Sequence, residues 1–155
     1  MRHILSIIIC LIILIGTIIL FAVDTEDLVM GYTQIVQVFG KSQLTSNEHL
    51  IGSRYERKDD YAGGYMCLAD SVTGRDIPYG GCSTKNRKLM LTGKINRQHG
   101  NVNIHIRYGS ECEDIQFDGK GYIEKELSFC GGGNYIVIEY ENFVGEVDIK
   151  TEYIK

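Results

Sequence analysis

The pattern of hydrophobic and polar positions begins with an unbroken run of apolar and small residues over positions 4–23. Positive charge precedes this run at Arg2, and acidic residues follow it from Asp24. About 20 apolar residues are needed to span a bilayer, whereas the apolar part of a cleaved secretory signal covers about 7–15 residues. The length therefore favours a transmembrane helix over residues 1–23, and a signal peptide cleaved after Ala22 is the alternative. In both cases we expect the rest of the chain on the outer side of the membrane.

Residues 24–48 are expected to connect this segment to a folded domain. Apolar residues recur at helical spacing over positions 24–40, which predicts a juxtamembrane helix. Residues 35–39, which include the β-branched Ile35, Val36 and Val38, would also suit a strand. Residues 41–48 are polar and predict a linker.

Residues 49–155 predict an all-β domain. From Lys88 onward apolar and polar positions alternate, which is the period of a strand with one buried face. A polar stretch at positions 97–100 predicts a turn, so we expect a hairpin with an apolar inner face and a polar outer face. The inward positions are Leu89, Leu91, Ile95, Val102, Ile104, Ile106 and Tyr108.

Further strands are predicted after this hairpin, with short turns between them. They cover residues 115–118, 122–129, 135–141 and 146–154. Antiparallel strands at this spacing are typical of a β-sandwich, and the jelly roll is one form of sandwich that fits. Residues 50–85 contain short candidate strands between glycine turns, but their register cannot be derived from the sequence.

Composition and charge agree with this class of fold. The chain has 18 Gly, 1 Pro and 10 Tyr, which suits strands joined by tight turns. Its formal net charge is −4 with both signs interspersed, so we expect no nucleic-acid partner.

Four cysteines follow the apolar run, at Cys67, Cys82, Cys112 and Cys130. An even number of cysteines in an exported domain indicates two disulfides. Neighbours in the sequence are the predicted pairs, Cys67–Cys82 and Cys112–Cys130, although four cysteines allow three connectivities. The gaps between them do not match the paired ligands of a structural zinc site, so no metal is predicted.

Three segments of the last third share a pattern of a glycine turn followed by a strand. They are Gly100–Ile106, Gly133–Glu139 and Asn142–Ile149. This pattern resembles small exported β-sandwich proteins of Gram-positive bacteria. The resemblance implies a sandwich fold and a location outside the cytoplasm, and it implies no activity.

Candidate binding residues are of two kinds. Tyrosines in the predicted loops are expected to be exposed, where they would stack on sugar rings or contact a protein. Basic residues on the outer face of the hairpin would orient a partner by charge. The tyrosines are Tyr61, Tyr65 and Tyr79, and the basic residues are Lys94, Arg97, His105 and Arg107.

Catalytic patterns are not evident in the sequence. The segment around Ser53 lacks the second glycine of a nucleophile elbow, and Gly131–Gly133 precedes a strand rather than the helix of a phosphate loop. We therefore predict no enzyme activity and no cofactor. The first hypothesis is a membrane-anchored or secreted β-sandwich that binds a protein or a glycan at the cell surface. The alternative is a structural subunit of an envelope or filament complex.

Overall fold

A computed structural model describes residues 2–22, 32, 35–36, 38–83, 87–129 and 131–154 of the chain. The chain forms two compact units, Met1–Ile35 and Val36–Lys155. The first unit contains helix α1 (Arg2–Ala22), and the side chains described in it run from Ile4 to Thr17. Thr17 places its hydroxyl 3.0 Å from the Ile13 carbonyl and 2.8 Å from the Leu14 carbonyl, so its polar group is satisfied within the apolar helix. Judged on length and apolarity, none of the helices in the described residues qualifies as a membrane span.

The second unit is an antiparallel β-structure, as the sequence predicts. Its strands are β1 (Ser53–Tyr55), β2 (Gly63–Ser83), β3 (Arg87–Tyr108), β4 (Glu111–Asp114), β5 (Tyr122–Phe129) and β6 (Gly132–Tyr153). They form one sheet in the order β1-β2-β6-β3-β4, and β5 pairs with another part of β3.

The three long strands bend together along one line across the sheet. Gly145 of β6 pairs with both Ala69 of β2 and Arg97 of β3, and the registers of β2 and β3 shift at this level. Gly100 has a φ of +72°, and a Cβ on it would lie 2.1 Å from the Asn142 carbonyl oxygen. Glycine is therefore required where the backbones of β3 and β6 approach each other at the bend.

The bend folds the sheet into a sandwich, because it brings the two halves of each long strand face to face. The hydroxyl of Tyr79 donates to the carbonyl of Gly64 on the same strand. The ring of Tyr108 lies 6.2 Å from that of Phe129, although Phe129 pairs with the opposite end of β3. The first layer consists of β1, β5 and residues 63–69, 87–97 and 145–153, and the second layer consists of β4 and residues 72–83, 101–108 and 132–143. When each half of a long strand is counted separately, the two layers contain eight strands besides β1, as a jelly roll does. β1 adds a short ninth strand to the first layer.

The core lies between the layers, and the predicted alternation on β3 is confirmed there. Leu89 and Leu91 are fully buried in the first layer, and Ile104 and Ile106 in the second. His105 lies between Ile104 and Ile106 on the outer face and is half-buried.

Two predicted turns are instead bends within continuous strands. Residues 97–100 do not reverse the chain, so β3 is one strand and no hairpin forms at that point. Likewise, residues 142–145 lie inside β6. The short strand predicted at residues 115–118 is a loop, and residues 111–114, which precede it and were not predicted as a strand, form β4.

Residues 40–45, predicted as part of the linker region, pack against the second layer. The N–H of Thr45 donates to the Ile77 carbonyl at 3.1 Å, and the Thr45 hydroxyl accepts the Ile77 N–H at 2.8 Å. The Tyr135 hydroxyl donates to the Gly40 carbonyl at 3.1 Å, and Leu44 packs against Ile77 and Tyr135. This segment is therefore folded with the sandwich. Most of the helix predicted at residues 24–40 lies outside the described residues.

The predicted disulfide between Cys67 and Cys82 is wrong. Both cysteines are free and lie on β2. Cys67 is the cross-strand partner of Val147 on β6, and Cys82 is that of Gly133. Cys67 is buried near the bend with its thiol against the hydroxyl of Tyr140, and Cys82 lies at the far end of the strand. The prediction assumed a loop between the two cysteines, but the intervening residues form a single strand.

The second predicted pair, Cys112–Cys130, is described only at Cys112. This residue is free and exposed on β4, and Cys130 lies outside the described residues. Among the described cysteines no disulfide is formed.

Candidate functional site

Two tyrosines, a lysine and an aspartate form a line across the outer face of the first layer. Tyr122 of β5 is the direct partner of Lys94 on β3, and Lys94 is the direct partner of Asp148 on β6. Directly opposite residues on adjacent strands place their side chains on the same face. Tyr55 completes the line from β1, because its hydroxyl lies 2.6 Å from Oδ1 of Asp148. We call these four residues the tyrosine row.

Tyr122 is the more accessible end of the tyrosine row. Its side chain is 49% exposed, and Ile123 beside it is buried, so the strand's alternation holds the ring outward. The Lys94 Nζ lies 5.4 Å from the centre of the Tyr122 ring. A cation at this distance is attracted by the electrons of the ring, which fixes the two side chains relative to each other.

Tyr55 is held in place by packing of its ring against the sheet and by a hydrogen bond from its hydroxyl. Its ring lies flat against Gly64, where a Cβ would approach the ring to 2.2 Å, so only glycine leaves room. Burial, followed by the hydrogen bond to Asp148, raises the pKa of Tyr55 to about 12. The Tyr55 hydroxyl therefore stays protonated at physiological pH and donates to Asp148.

The tyrosine row combines apolar ring faces with hydrogen-bonding groups. Tyr122 and Tyr55 lie on strands four spacings apart, which is about 19 Å. Between them Lys94 offers N–H donors and Asp148 offers carboxylate acceptors. Such a surface suits an elongated ligand with apolar faces and hydroxyl groups along its edges.

The charges beside the tyrosine row are mostly paired. Lys150 lies 3.1 Å from Glu56 and 3.3 Å from Glu152, and the hydrogen bond to Glu56 is the main cause that raises the pKa of Lys150. Leu68 is exposed by 76% at the bend and is the large apolar side chain with the greatest exposure among the described residues. The face therefore combines charged groups with the two rings, half-buried Met66 opposite Asp148, and Leu68 at the bend.

The three tyrosines predicted to bind a ligand are not exposed. Tyr61 is 3% exposed with its ring 5.6 Å from Phe129, and Tyr65 and Tyr79 are fully buried on β2. Burial raises the pKa of Tyr65 and of Tyr79. The predicted exposure is wrong because Tyr65 and Tyr79 lie on the core face of β2, and Tyr61, just before β2, also fills space between the layers.

The four predicted basic residues do not share one face. Lys94 belongs to the tyrosine row, and Arg97 lies at the bend. His105 and Arg107 lie beyond the bend on the outer face of the second layer, where the Arg107 guanidinium stacks 4.7 Å from the ring centre of Tyr135. The basic hairpin face is therefore divided between the layers, because β3 bends where a turn was predicted.

Sequence reasoning missed Tyr55 and Tyr122 as site residues. Tyr122 stands one position before Ile123 in a strand that alternates, so its outward direction could have been derived from the pattern. Tyr55 had no such signal, because its position depends on Gly64 and Asp148 in distant strands.

Two buried groups that could carry catalytic chemistry, the Asp76 carboxylate and the Cys67 thiol, have structural partners. The carboxylate of buried Asp76 accepts N–H groups of Ile51 and Gly52 at 3.0–3.1 Å and the hydroxyl of Tyr65. Burial raises the pKa of the Cys67 thiol, which disfavours the reactive thiolate. Among the described residues, no three His, Cys, Asp or Glu side chains come together to hold a metal ion.

No protein-family model matches the chain, and no curated protein does. Among solved structures, the pre-peptidase C-terminal domain of collagenase from Bacillus anthracis is similar with a TM-score of 0.45 and 13% identity, over 59% of this chain and 90% of that chain. The carbohydrate-binding module CBM6cm-2 of Cellvibrio mixtus lichenase 5A, in complex with cellotriose, is similar with a TM-score of 0.36 and 9% identity, over 75% of this chain and 95% of that chain. At these scores the similarities say nothing about function.

Proposed function

We propose that the domain is a non-catalytic module that binds an oligosaccharide through the tyrosine row. The observation that carries this proposal is the placement of two tyrosine rings at the ends of a line whose middle is the Lys94–Asp148 pair. Sugar rings have apolar faces that stack on aromatic rings and hydroxyl edges that hydrogen-bond to charged groups. A line of about 19 Å accommodates a short oligosaccharide rather than a single sugar.

The chemistry of the face favours a sugar over a protein as the ligand. A stable protein interface needs a well-packed apolar centre from which water is excluded. Here the charges beside the row are engaged in ion pairs, and Leu68 stands apart at the bend. A shallow face with two rings and several charged groups instead suits a ligand rich in hydroxyl groups.

The proposal places the module on the outer side of a membrane. The apolar run of residues 4–23 supports this location, either as an anchor or as a signal that is cleaved. The ligand would then be a glycan of the cell surface or of its surroundings.

Binding of an oligosaccharide array to the full-length chain in detergent, followed by calorimetry with the best ligand, tests the proposal. Tyr122→Ala should weaken binding about tenfold, because it removes one stacking ring. Leu68→Ala, on the same layer but away from the row, should bind like the wild type. An array without any bound oligosaccharide, or full affinity in Tyr122→Ala, would contradict the proposal.

A further inference from the structure

A groove lies beside the tyrosine row, where the loop before β5 meets the bend of β3. Its volume is about 480 Å³, and it is lined by both parts of β3 and by residues 117–121. Gly121, which lines the groove, directly precedes Tyr122. On β3, Asn96 lines the groove and is the next outward residue after Lys94. The groove, which we call the corner groove, therefore adjoins one end of the tyrosine row.

The wall of the corner groove is a rigid turn built around Asp118. Its Oδ1 accepts the N–H groups of Lys120 at 2.9 Å and of Tyr122 at 2.7 Å. Its backbone N–H donates to the Tyr122 carbonyl at 3.0 Å, and its carbonyl accepts the Gly121 N–H at 3.0 Å. The turn is tied to β3 by the N–H of Ile95, which donates to the Gly121 carbonyl at 2.8 Å. The wall is therefore formed before any ligand arrives.

The floor of the corner groove is apolar and its rim is cationic. Ile95 and Val102 are buried beneath it, and Phe117 is half-buried at its side. Arg97 and Lys120 are exposed at the rim, and within the described residues neither forms an ion pair.

The charge of the corner groove favours a negative ligand group. Asp118 is the one acidic residue among its lining residues, and two N–H groups of its own turn already bind one of its oxygens. Two cations therefore face one partly satisfied carboxylate. An arginine guanidinium binds a carboxylate through two parallel hydrogen bonds, and a lysine adds a point charge.

We infer that the corner groove binds the terminal sugar of an acidic oligosaccharide, with the sugar carboxylate at Arg97 and Lys120. This inference rests on the proposed function, since the rest of the oligosaccharide would lie along the tyrosine row. The apolar floor would take the face of the terminal ring. The ligand class is therefore an oligosaccharide that ends in a uronic acid.

The experiment uses pairs of oligosaccharides that differ only at the terminal sugar, a uronic acid in one and the matching neutral hexose in the other. Calorimetry with the full-length chain should show about tenfold tighter binding of the acidic member, a preference that decreases as salt is added. Arg97→Gln combined with Lys120→Gln should reduce this preference to less than about twofold, while the affinity for the neutral member is retained. Lys88→Gln is the matched control, because Lys88 is an exposed lysine of β3 that pairs with Glu126.

The outcomes separate this inference from the proposed function. Equal affinity for the two members, or a preference that survives in the double variant, would overturn the acidic-sugar inference and leave the tyrosine row as a neutral sugar site. Failure of the wild type to bind either member of any pair would overturn both. Unfolding midpoints like that of the wild type would show that the variants are folded.

Discussion

The hydroxyl of Tyr65 donates a hydrogen bond to the carboxylate of Asp76, eleven residues further along the same strand. In a straight strand these residues would be about 36 Å apart. The bond is therefore possible only because β2 bends and places its two halves in opposite layers. Asp76 also accepts the N–H groups of Ile51 and Gly52, so one carboxylate joins both layers to the segment before β1.

Tyr65→Phe should lower the free energy of unfolding by about 1–3 kcal/mol, because it leaves the buried Asp76 carboxylate with one donor fewer. Tyr122→Phe is the matched control, since it removes a hydroxyl from an exposed ring and should change stability by no more than about 0.5 kcal/mol. Urea unfolding of the two variants measures the difference. Equal effects would show that the Tyr65–Asp76 bond contributes nothing to stability.

Ile104→Ala should destabilise the domain by about 2–5 kcal/mol, because it removes buried methyl groups and leaves a cavity in the core. His105→Ala, one residue away on the outer face, should change stability by no more than about 0.5 kcal/mol. Denaturant unfolding again provides the measurement. A larger loss at His105 would mean that the histidine, and not the isoleucine, faces the core.

Thiol labelling of the folded, unreduced protein should distinguish the described cysteines. Cys112 is exposed and should react rapidly, whereas Cys67 is 1% exposed and should react only after unfolding. Burial also raises the pKa of Cys67, which lowers its thiolate fraction. Peptide mass spectrometry measures the extent of labelling at both cysteines. Recovery of a peptide pair linked through Cys67 and Cys82 would contradict the structure.

The stability of the domain should decline at alkaline pH in part through Tyr55. Its pKa is about 12 in the folded state and has its ordinary value of 10.0 in the unfolded chain. Between these values the folded state binds more protons, so the contribution of Tyr55 is complete below pH 10 and is lost as the pH rises through 12. Urea midpoints measured from pH 9 to 12 should therefore fall less steeply in Tyr55→Phe than in the wild type. Parallel curves would argue against the raised pKa.

The alternation of residues predicted much of the core but not the path of the chain. In a strand neighbouring side chains point in opposite directions, so Ile104 and Ile106 could be placed inside without knowledge of their partners. A polar stretch with glycine, such as residues 97–100, suits a chain reversal and a bend equally well. β6 determines that the chain bends here, because its residues 141–145 run alongside the bend and continue the sheet across it.

The candidate site was less predictable because its members come from four strands. Tyr122 follows the alternation of its own strand, but its relation to Lys94 and Asp148 depends on the register between strands. Tyr65 and Tyr79 were misplaced because glycines interrupt the alternation in residues 63–83. The inward direction of both rings is set by the opposite layer, which the local sequence does not describe.

The central position of β6 determines when this domain can fold. Its two neighbours, β2 and β3, are synthesised first but pair with β6 and not with each other. Until β6 has emerged from the ribosome, both strands keep an unpaired edge that is open to other chains. Folding therefore follows synthesis of almost the whole domain, and pairings this distant in sequence are slow to form. The unfinished chain must therefore be kept from aggregating until β6 is available for pairing.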